Sequence, residues 1–148
     1  MAKVYNADQV SLIVAGALIE AGFADGEFLR VEQDSDDWLD DIGTDGEVAV
    51  SRSNDRRATI TVILLQTSDG NDILSALSNL SRASNGLAGA GPLFIRDRNG
   101  RTVYRASSCW VSKPPDASFD RTATAREWTL RCDRLVRFDG GNVSTGAQ

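Results

Sequence analysis

The residues best equipped for chemistry are carboxylates gathered in one acidic segment, residues 34–47. Clustered carboxylates can bind Ca²⁺, and a pair of them can serve as a general acid and a general base. The spacing does not match an EF-hand loop, because a loop that began at Asp34 would place Trp38 at the fifth position and Leu39 at the sixth, where glycine is required. We therefore predict a solvated acidic surface and no metal site.

The other reactive residue types argue against catalysis. The chain contains no histidine, which excludes Ser-His-Asp and Cys-His nucleophiles as well as imidazole metal sites. Cys109 and Cys132 cannot complete a structural zinc site alone, and they lie in strand-like runs of a chain without a recognisable secretion signal, so we predict buried, reduced thiols. We expect a protein that is not an enzyme and needs no cofactor. A hydrolase that uses Asp36 and Asp40 as a carboxylate pair remains an alternative.

Two segments could bind phosphate, but neither has the required arrangement. Residues 84–91 are rich in glycine, yet they follow a helical segment, whereas a phosphate-binding loop lies between a strand and the start of a helix. Four arginines surround a predicted turn, but they are interleaved with Asp97 in a chain whose pI is about 4.7, which argues against specific DNA binding. These arginines are Arg96, Arg98, Arg101 and Arg105.

One helix is predicted, at about residues 69–83. Ser68 or Asp69 can accept hydrogen bonds from free amides in its first turn. Apolar residues recur at helical spacing on one side and polar residues occupy the other, which places the helix on the outside of a sheet. The apolar set is Ile73, Leu77 and Leu80, and the polar set is Ser75, Ser78, Asn79 and Arg82.

Strands account for most of the remaining chain, because alternating and β-branched runs are bounded by turn residues. Asn99-Gly100 is a strong two-residue hairpin signal between two of these strands. In the second strand, Tyr104, Ala106, Ser108 and Trp110 are predicted to share one face, opposite Val103, Arg105, Ser107, Cys109 and Val111. The predicted strands are 10–19 as one bent strand or two short ones, 28–33, a hairpin of the Val48 and Val50 strand with 58–66, 92–98, 101–111, an edge segment 119–123, and a long closing strand 126–138.

The chain has the size of one domain, residues 1–148, with 41% hydrophobic residues. Its apolar run at 12–19 is too short to span a bilayer, so we expect no membrane partner. Residues 34–47 are predicted to form a long acidic loop and residues 140–148 a flexible tail. On that loop, Trp38 either packs back on its own core or anchors a contact with another chain.

Charge is divided unequally along the sequence. Residues 1–50 hold twelve carboxylates against Lys3 and Arg30, whereas residues 51–148 hold nine carboxylates against fourteen basic residues. Either the surface charges have no common role, or acidic and basic surfaces of neighbouring copies meet in a self-assembly.

Several short motifs resemble the tail tube protein of contractile-tailed bacteriophages. The likeness covers most of the chain and extends to the order of the elements. Its motifs are Tyr5-Asn6-Ala7-Asp8, Asp25-Gly26-Glu27-Phe28, Gly46-Glu47-Val48, Arg52-Ser53-Asn54-Asp55, the strand Thr59–Gln66 with the following Thr67-Ser68, and Asn71-Asp72 at the helix start.

The resemblance implies a mainly β fold with one α-helix, a tail-tube-like barrel or sandwich of antiparallel strands with the helix outside. It also implies stacked hexameric rings that form the inner tube of a virion tail, assembled from chains made in the host cytoplasm. DNA would pass through the lumen without specific binding, and an acidic lumen would let it slide. The implied partners are other copies of this chain and the tail sheath, baseplate or tube initiator, tape measure and tail terminator proteins.

In that family a long loop between early strands contacts a neighbouring ring. By position, its counterpart here consists of Asp34, Asp36, Asp37, Trp38, Leu39, Asp40, Asp41, Ile42 and Asp45. Two other readings remain open. One is a tube protein of a secretion system or a phage-derived bacteriocin. The other is a monomeric β-barrel that binds a small ligand through Tyr104, Trp110 and Trp128, although core packing explains these aromatic residues more simply.

Overall fold

The computed structural model describes residues 3–142. Within this range the chain forms ten β-strands and one α-helix, and all the strand pairs are antiparallel. This confirms the predicted mainly β class with a single helix. The elements are β1 (Val10–Val14), β2 (Ala17–Ile19), β3 (Leu29–Gln33), β4 (Trp38–Ile42), β5 (Val48–Arg52), β6 (Ala58–Leu65), α1 (Gly70–Ala83), β7 (Gly91–Asp97), β8 (Val103–Lys113), β9 (Ala125–Cys132) and β10 (Leu135–Phe138).

Eight strands form one sheet in the order β2-β1-β7-β8-β9-β6-β3, with β10 paired to β8. The sheet is curved: β2 lies at one edge, yet the segment that follows it contacts β6, which is next to the strand at the other edge. There, Phe23 forms an isolated bridge with Leu64, and the amide of Leu65 donates to the carbonyl of Gly22 at 2.7 Å. No continuous ladder joins β2 to β3 among the described residues, so the sheet is not a closed barrel.

The first strands meet in a tight turn at Ala15-Gly16. Both residues have positive φ, 51° and 85°, which is the conformation that a two-residue hairpin with right-handed strand twist requires. Glycine adopts it without strain, and alanine does so at a cost. The apolar run 10–19 therefore forms two short strands, one of the two predicted alternatives.

The hairpin predicted around Asn99-Gly100 is present, as β7 and β8. The hairpin predicted between the Val48 strand and 58–66 is wrong, because β5 pairs with β4 whereas β6 pairs with β3 and β9. Strand β6 is buried along most of its length and needs an ordered neighbour on each side. Strand β5, exposed throughout, could not bury it.

The predicted face alternation in β8 fails at one point. Ala106 and Cys109 are both buried, although they were assigned to opposite faces. Opposite β7, the pairing moves from Leu93↔Ala106 to Gly91↔Cys109, so β8 carries one extra residue and its alternation changes phase.

The predicted closing strand 126–138 is interrupted once. Residues 125–132 and 135–138 follow the same side of β8 as β9 and β10, and Asp133 and Arg134 separate them. The edge strand predicted at 119–123 is wrong, since this segment has no ladder partner. It belongs to the irregular connection between β8 and β9.

Helix α1 lies where it was predicted, and Ser68 Oγ accepts from the amide of Gly70 at 3.1 Å. Its buried residues are Gly70, Leu74 and Ser78, which recur every four positions. Ser78 was predicted to be exposed and Leu80 to be packed; the structure reverses both, with Leu80 51% exposed. A side chain at Gly70 would come within 3.1 Å of Ile19, so glycine lets the helix approach the sheet closely. No helix within residues 3–142 is long and apolar enough to cross a membrane.

Candidate assembly surface

The acidic segment is not a loop. Residues 38–42 and 48–52 form a separate two-stranded sheet, β4–β5, which corrects the prediction of a long acidic loop at 34–47. The strands are closed by the turn 43–47, in which the amide of Gly43 donates to the carbonyl of Glu47 at 2.7 Å, and Gly46 has a φ of 88°. Asp45 Oδ1 accepts from the amide of Glu47 at 3.1 Å, so this carboxylate stabilises the turn.

Both strands of this hairpin are exposed at every position. Trp38 is 59% exposed and Ile42 is 74% exposed, so Trp38 does not fold back on its own core. Antiparallel sheets commonly bury one face, and an isolated two-stranded hairpin is marginally stable in water. A hairpin with no buried face and several large apolar side chains is typical of a surface that another chain covers.

The register divides the hairpin into two unlike faces. Directly opposed residues share a face, and the pairs Trp38↔Arg52, Asp40↔Val50 and Ile42↔Val48 lie together. We call these six residues the apolar face. The pairs Leu39↔Ser51 and Asp41↔Ala49 lie on the reverse face, whose side chains are smaller apart from Leu39.

A polar network fixes the base of the hairpin to the main sheet. Gln33 Nε2 donates to Asp37 Oδ1 at 2.9 Å, and Arg56 forms an ion pair with the same carboxylate. Asp34 accepts from Thr59 Oγ1 at 2.8 Å and forms an ion pair with Arg131. These bonds attach the base to β3, β6 and β9, which orients the hairpin although its strands have no buried face.

Asp55 joins the two chain segments that lead into and out of the hairpin. It accepts from Arg57 Nε at 2.9 Å and from Ser35 Oγ at 2.7 Å, which joins the segments before β4 and after β5. The Arg57 guanidinium, followed by the Ser35 hydroxyl, holds the pKa of this carboxyl well below its usual range. These hydrogen bonds therefore favour the ionised form of the Asp55 carboxyl.

The structure separates the predicted contact residues into two groups. Asp34 and Asp37 are bonded within their own chain, at the base of the hairpin. The remaining predicted residues lie on exposed positions before or within the hairpin: Asp36, Trp38, Leu39, Asp40, Asp41, Ile42 and Asp45. Sequence reasoning missed Val48, Val50 and Arg52 as members of the apolar face. The alternation of Val48 and Val50 was recognised but assigned to a hairpin with β6, and Arg52 was placed in the turn that follows.

Tyr104 and Trp128, two of the three aromatic residues considered for a central ligand, do not converge on one site. Trp128 is 3% exposed and its Nε1 donates to Asn71 Oδ1 at 2.9 Å, so its indole is a core side chain bonded to α1. Tyr104 lies under the Arg137 guanidinium, 5.1 Å from it, and its hydroxyl bonds to Asp139. The two cysteines are buried and free, as predicted, and lie directly opposite each other on β8 and β9.

Comparison with known proteins identifies the family. Residues 13–138 match a sequence model described as the bacteriophage PhiTE tail tube protein. This chain belongs to that tail tube family. A relative, "Structural protein ORF10" of Pseudomonas phage KPP10, is 25% identical over 143 residues, which are 93% of this chain and 83% of the relative. The tail tube assignment makes the chain a phage structural protein and not an enzyme.

Solved structures of contractile injection systems share the tail tube fold. One is the sheath/tube terminator of the extracellular contractile injection system PVC, with a TM-score of 0.58 at 15% identity, covering 88% of this chain and 94% of that one. The tube terminating cap of the anti-feeding prophage AFP has a TM-score of 0.59 at 9% identity, covering 93% of each chain. A chain of the PVC sheath-tube complex has a TM-score of 0.58 at 16% identity, covering 95% of this chain and 93% of that one.

Proposed function

We propose that this chain is the repeating wall subunit of a contractile phage tail tube, built from stacked hexameric rings through which DNA leaves the virion. The observation that carries the proposal is the β4–β5 hairpin, which is exposed on both faces and fixed at its base. In a monomeric protein, holding Trp38 and Ile42 exposed to water in a defined position would bury no apolar surface and so add no stability. A subunit gains a preorganised contact, because the base network limits the ordering entropy that assembly must overcome.

The main sheet supports the same proposal through its free edges. Strands β2 and β3 end the sheet, and within residues 3–142 neither has a strand paired along its outer side. Such edges are templates for pairing with another chain. Contact between unlike surfaces closes into a ring when the rotation between copies divides a full turn. Six copies per ring is the number that the family resemblance implies.

The wall of the tube would have little affinity for DNA. The chain has a net charge of −5, and phosphate affinity depends on neutralisation by lysine and arginine. We infer an acidic lumen along which DNA slides. The partners of the assembled tube would be the tail sheath, the baseplate or tube initiator, the tape measure protein and the tail terminator, with free subunits present in the host cytoplasm beforehand.

Electron microscopy of the purified protein at increasing concentration tests the proposal. We expect hollow tubes of uniform diameter from the wild-type chain. A Trp38→Ser/Ile42→Ser variant should remain folded, with an unchanged melting temperature, because both side chains are largely exposed, but it should stack poorly. A wild-type chain that stays monomeric at every concentration, even with a tube initiator added, would contradict the proposal. Normal tubes from the double variant would contradict the role of the hairpin.

A further inference from the structure

A cleft bounded by the start of α1 and the connection between β8 and β9 combines apolar walls with one charged side chain. Its volume is about 470 Å³. Pro114, Pro115 and Phe119 form part of its wall, and Phe119 is 82% exposed. Arg126 is the charged residue among those described that line it.

The Arg126 guanidinium is buried without a counter-charge. This residue is 7% exposed, and its terminal nitrogens donate to Thr124 Oγ1 at 2.7 Å and to the carbonyl of Ser118 at 3.1 Å. Its third acceptor is the carbonyl of Ala125, so all three are neutral oxygens, and Phe119 adds a cation–π contact at 5.5 Å. Among residues 3–142 it makes no ion pair.

This arrangement leaves the guanidinium able to bind an anion. A guanidinium has five N–H donors, so three hydrogen bonds leave capacity for a carboxylate. Burial of a charge without a partner is costly, and an incoming carboxylate at this position would offset part of that cost. The proline and phenylalanine walls favour an anion that arrives with apolar neighbours.

The β4–β5 hairpin carries such a group. On its apolar face Asp40 lies between Trp38 and Ile42, and all three are exposed. Asp40 makes no ion pair in the described part of its own chain, unlike Asp34 and Asp37. Asp40 therefore offers the carboxylate that Arg126 lacks, and its apolar neighbours Trp38 and Ile42 suit the walls of the cleft; Arg52, the one cation of this face, lies opposite Trp38 at the base of the hairpin.

The hairpin and the cleft lie at opposite ends of the same strand. Ala58, at the start of β6, follows the base of the hairpin, whereas Leu65, at its end, pairs with Ala125 beside the cleft. Eight residues of strand separate the two sites by about 23 Å. A hairpin therefore cannot reach the cleft of its own chain, and it can reach that of another copy placed end to end.

We propose that the apolar face of one copy docks in the Arg126 cleft of the next copy, with the Asp40 carboxylate paired to the Arg126 guanidinium. The contact rests on the proposed tube function and names the residues that join successive copies along the tube. Trp38 and Ile42 pack against Phe119 and the two prolines. The contact is head-to-tail, since donor and acceptor surfaces differ and lie at opposite ends.

A cysteine cross-link tests the pairing in assembled protein. Asp40→Cys combined with Ala117→Cys places thiols on the hairpin and on the wall of the cleft, where Ala117 is exposed. Under diamide oxidation, diamide is reduced as the two thiols lose their hydrogens and form one disulfide. We expect a ladder of multimers on non-reducing gels that dithiothreitol removes.

The matched control is Asp41→Cys with Ala117→Cys, because Asp41 lies on the reverse face of the same strand. This control should give no ladder. The inference is overturned if tubes form and the Asp40→Cys pair gives no ladder, or if both pairs cross-link equally. Wild-type protein that never forms tubes would overturn the proposed function and this inference together, so the two failures are distinguishable.

Asp40→Asn supplies a second measurement that leaves Arg126 and the fold intact. It removes the charge that would neutralise a buried guanidinium, so the protein concentration needed for tube formation should rise about tenfold or more. Asp41→Asn removes the same charge from the reverse face and should leave that concentration within about twofold of wild type. Equal effects from the two variants would overturn the assignment of Asp40.

Discussion

At the scale of single residues, one amide joins the helix to the sheet. Asn71 accepts from Trp128 Nε1 at 2.9 Å and donates from Nδ2 to the carbonyl of Leu65 at 2.9 Å. Asn71→Ala would leave a buried indole N–H without a partner, so we expect the free energy of unfolding to fall by about 1–3 kcal/mol. Asn79→Ala, on the exposed side of the same helix, should change it by less than about 0.5 kcal/mol. Urea denaturation measures both, and equal effects would contradict the role of Asn71.

The cysteine pair makes stability depend on alkaline pH. A hydrogen bond with Cys132, together with burial, raises the pKa of the Cys109 thiol. The pKa of a cysteine in the unfolded chain is about 8.5. Above that pH the unfolded chain therefore loses a proton that the folded chain retains. Stability from this group is therefore complete below pH 8.5 and decreases as the pH rises further. The urea midpoint under reducing conditions should be lower at pH 9.5 than at pH 7.5, and the decrease should be smaller in a Cys109→Ala variant. An identical decrease in the variant would refute this account.

At the scale of elements, the base network determines how rigidly the hairpin is held. Asp37 accepts from Gln33 and pairs with Arg56, but the pair is partly exposed, so its contribution to global stability is at most about 1 kcal/mol. Asp37→Ala should therefore hardly change the urea midpoint, while hydrogen exchange of the amides of β4 and β5 becomes faster. Asp36→Ala is the matched control, since Asp36 has no ion pair within residues 3–142. Equal exchange rates in the two variants would show that Asp37 does not hold the hairpin.

The elements also show what a sequence can and cannot reveal about this fold. Local signals predicted α1 and the β7–β8 hairpin, and they left one bent strand or two short ones as alternatives for residues 10–19, because capping, periodicity and turn residues act over a few positions. Pairing of β6 with β9 depends on contacts between residues far apart in sequence, which local patterns do not specify. The bulge in β8 likewise arises from its neighbours and not from its own alternation.

The segment that carries the predicted contact residues forms a hairpin and not the loop that was expected. The acidic residues suggested a solvated loop, since carboxylates are rare in the middle of strands, and the apolar residues between them were not recognised as one face. The strand of Val48 and Val50 was predicted to pair with β6 and not with β4, so these two residues were missed as members of the apolar face. Nothing local marks Arg126 as a binding residue, because its burial comes from the connection between β8 and β9.

At the scale of the whole molecule, the uneven charge distribution predicts that tube growth depends on salt. The first fifty residues are strongly acidic and the remainder is basic, so attraction between oppositely charged surfaces of two copies should accelerate their encounter. Elongation measured by light scattering should slow as the NaCl concentration rises from about 0.05 M to 0.5 M, because this change shortens the electrostatic screening length to well below about 15 Å. An elongation rate that is constant or rises with salt would indicate assembly driven by apolar burial alone.

If the hairpin docks in the cleft as proposed, their separation along β6 makes a partly built column polar. One extremity would present vacant clefts and the other free hairpins, so subunits would add to the two extremities at unequal rates. A protein that halts growth must therefore imitate a hairpin at one extremity or a cleft at the other, and a single capping surface cannot serve both.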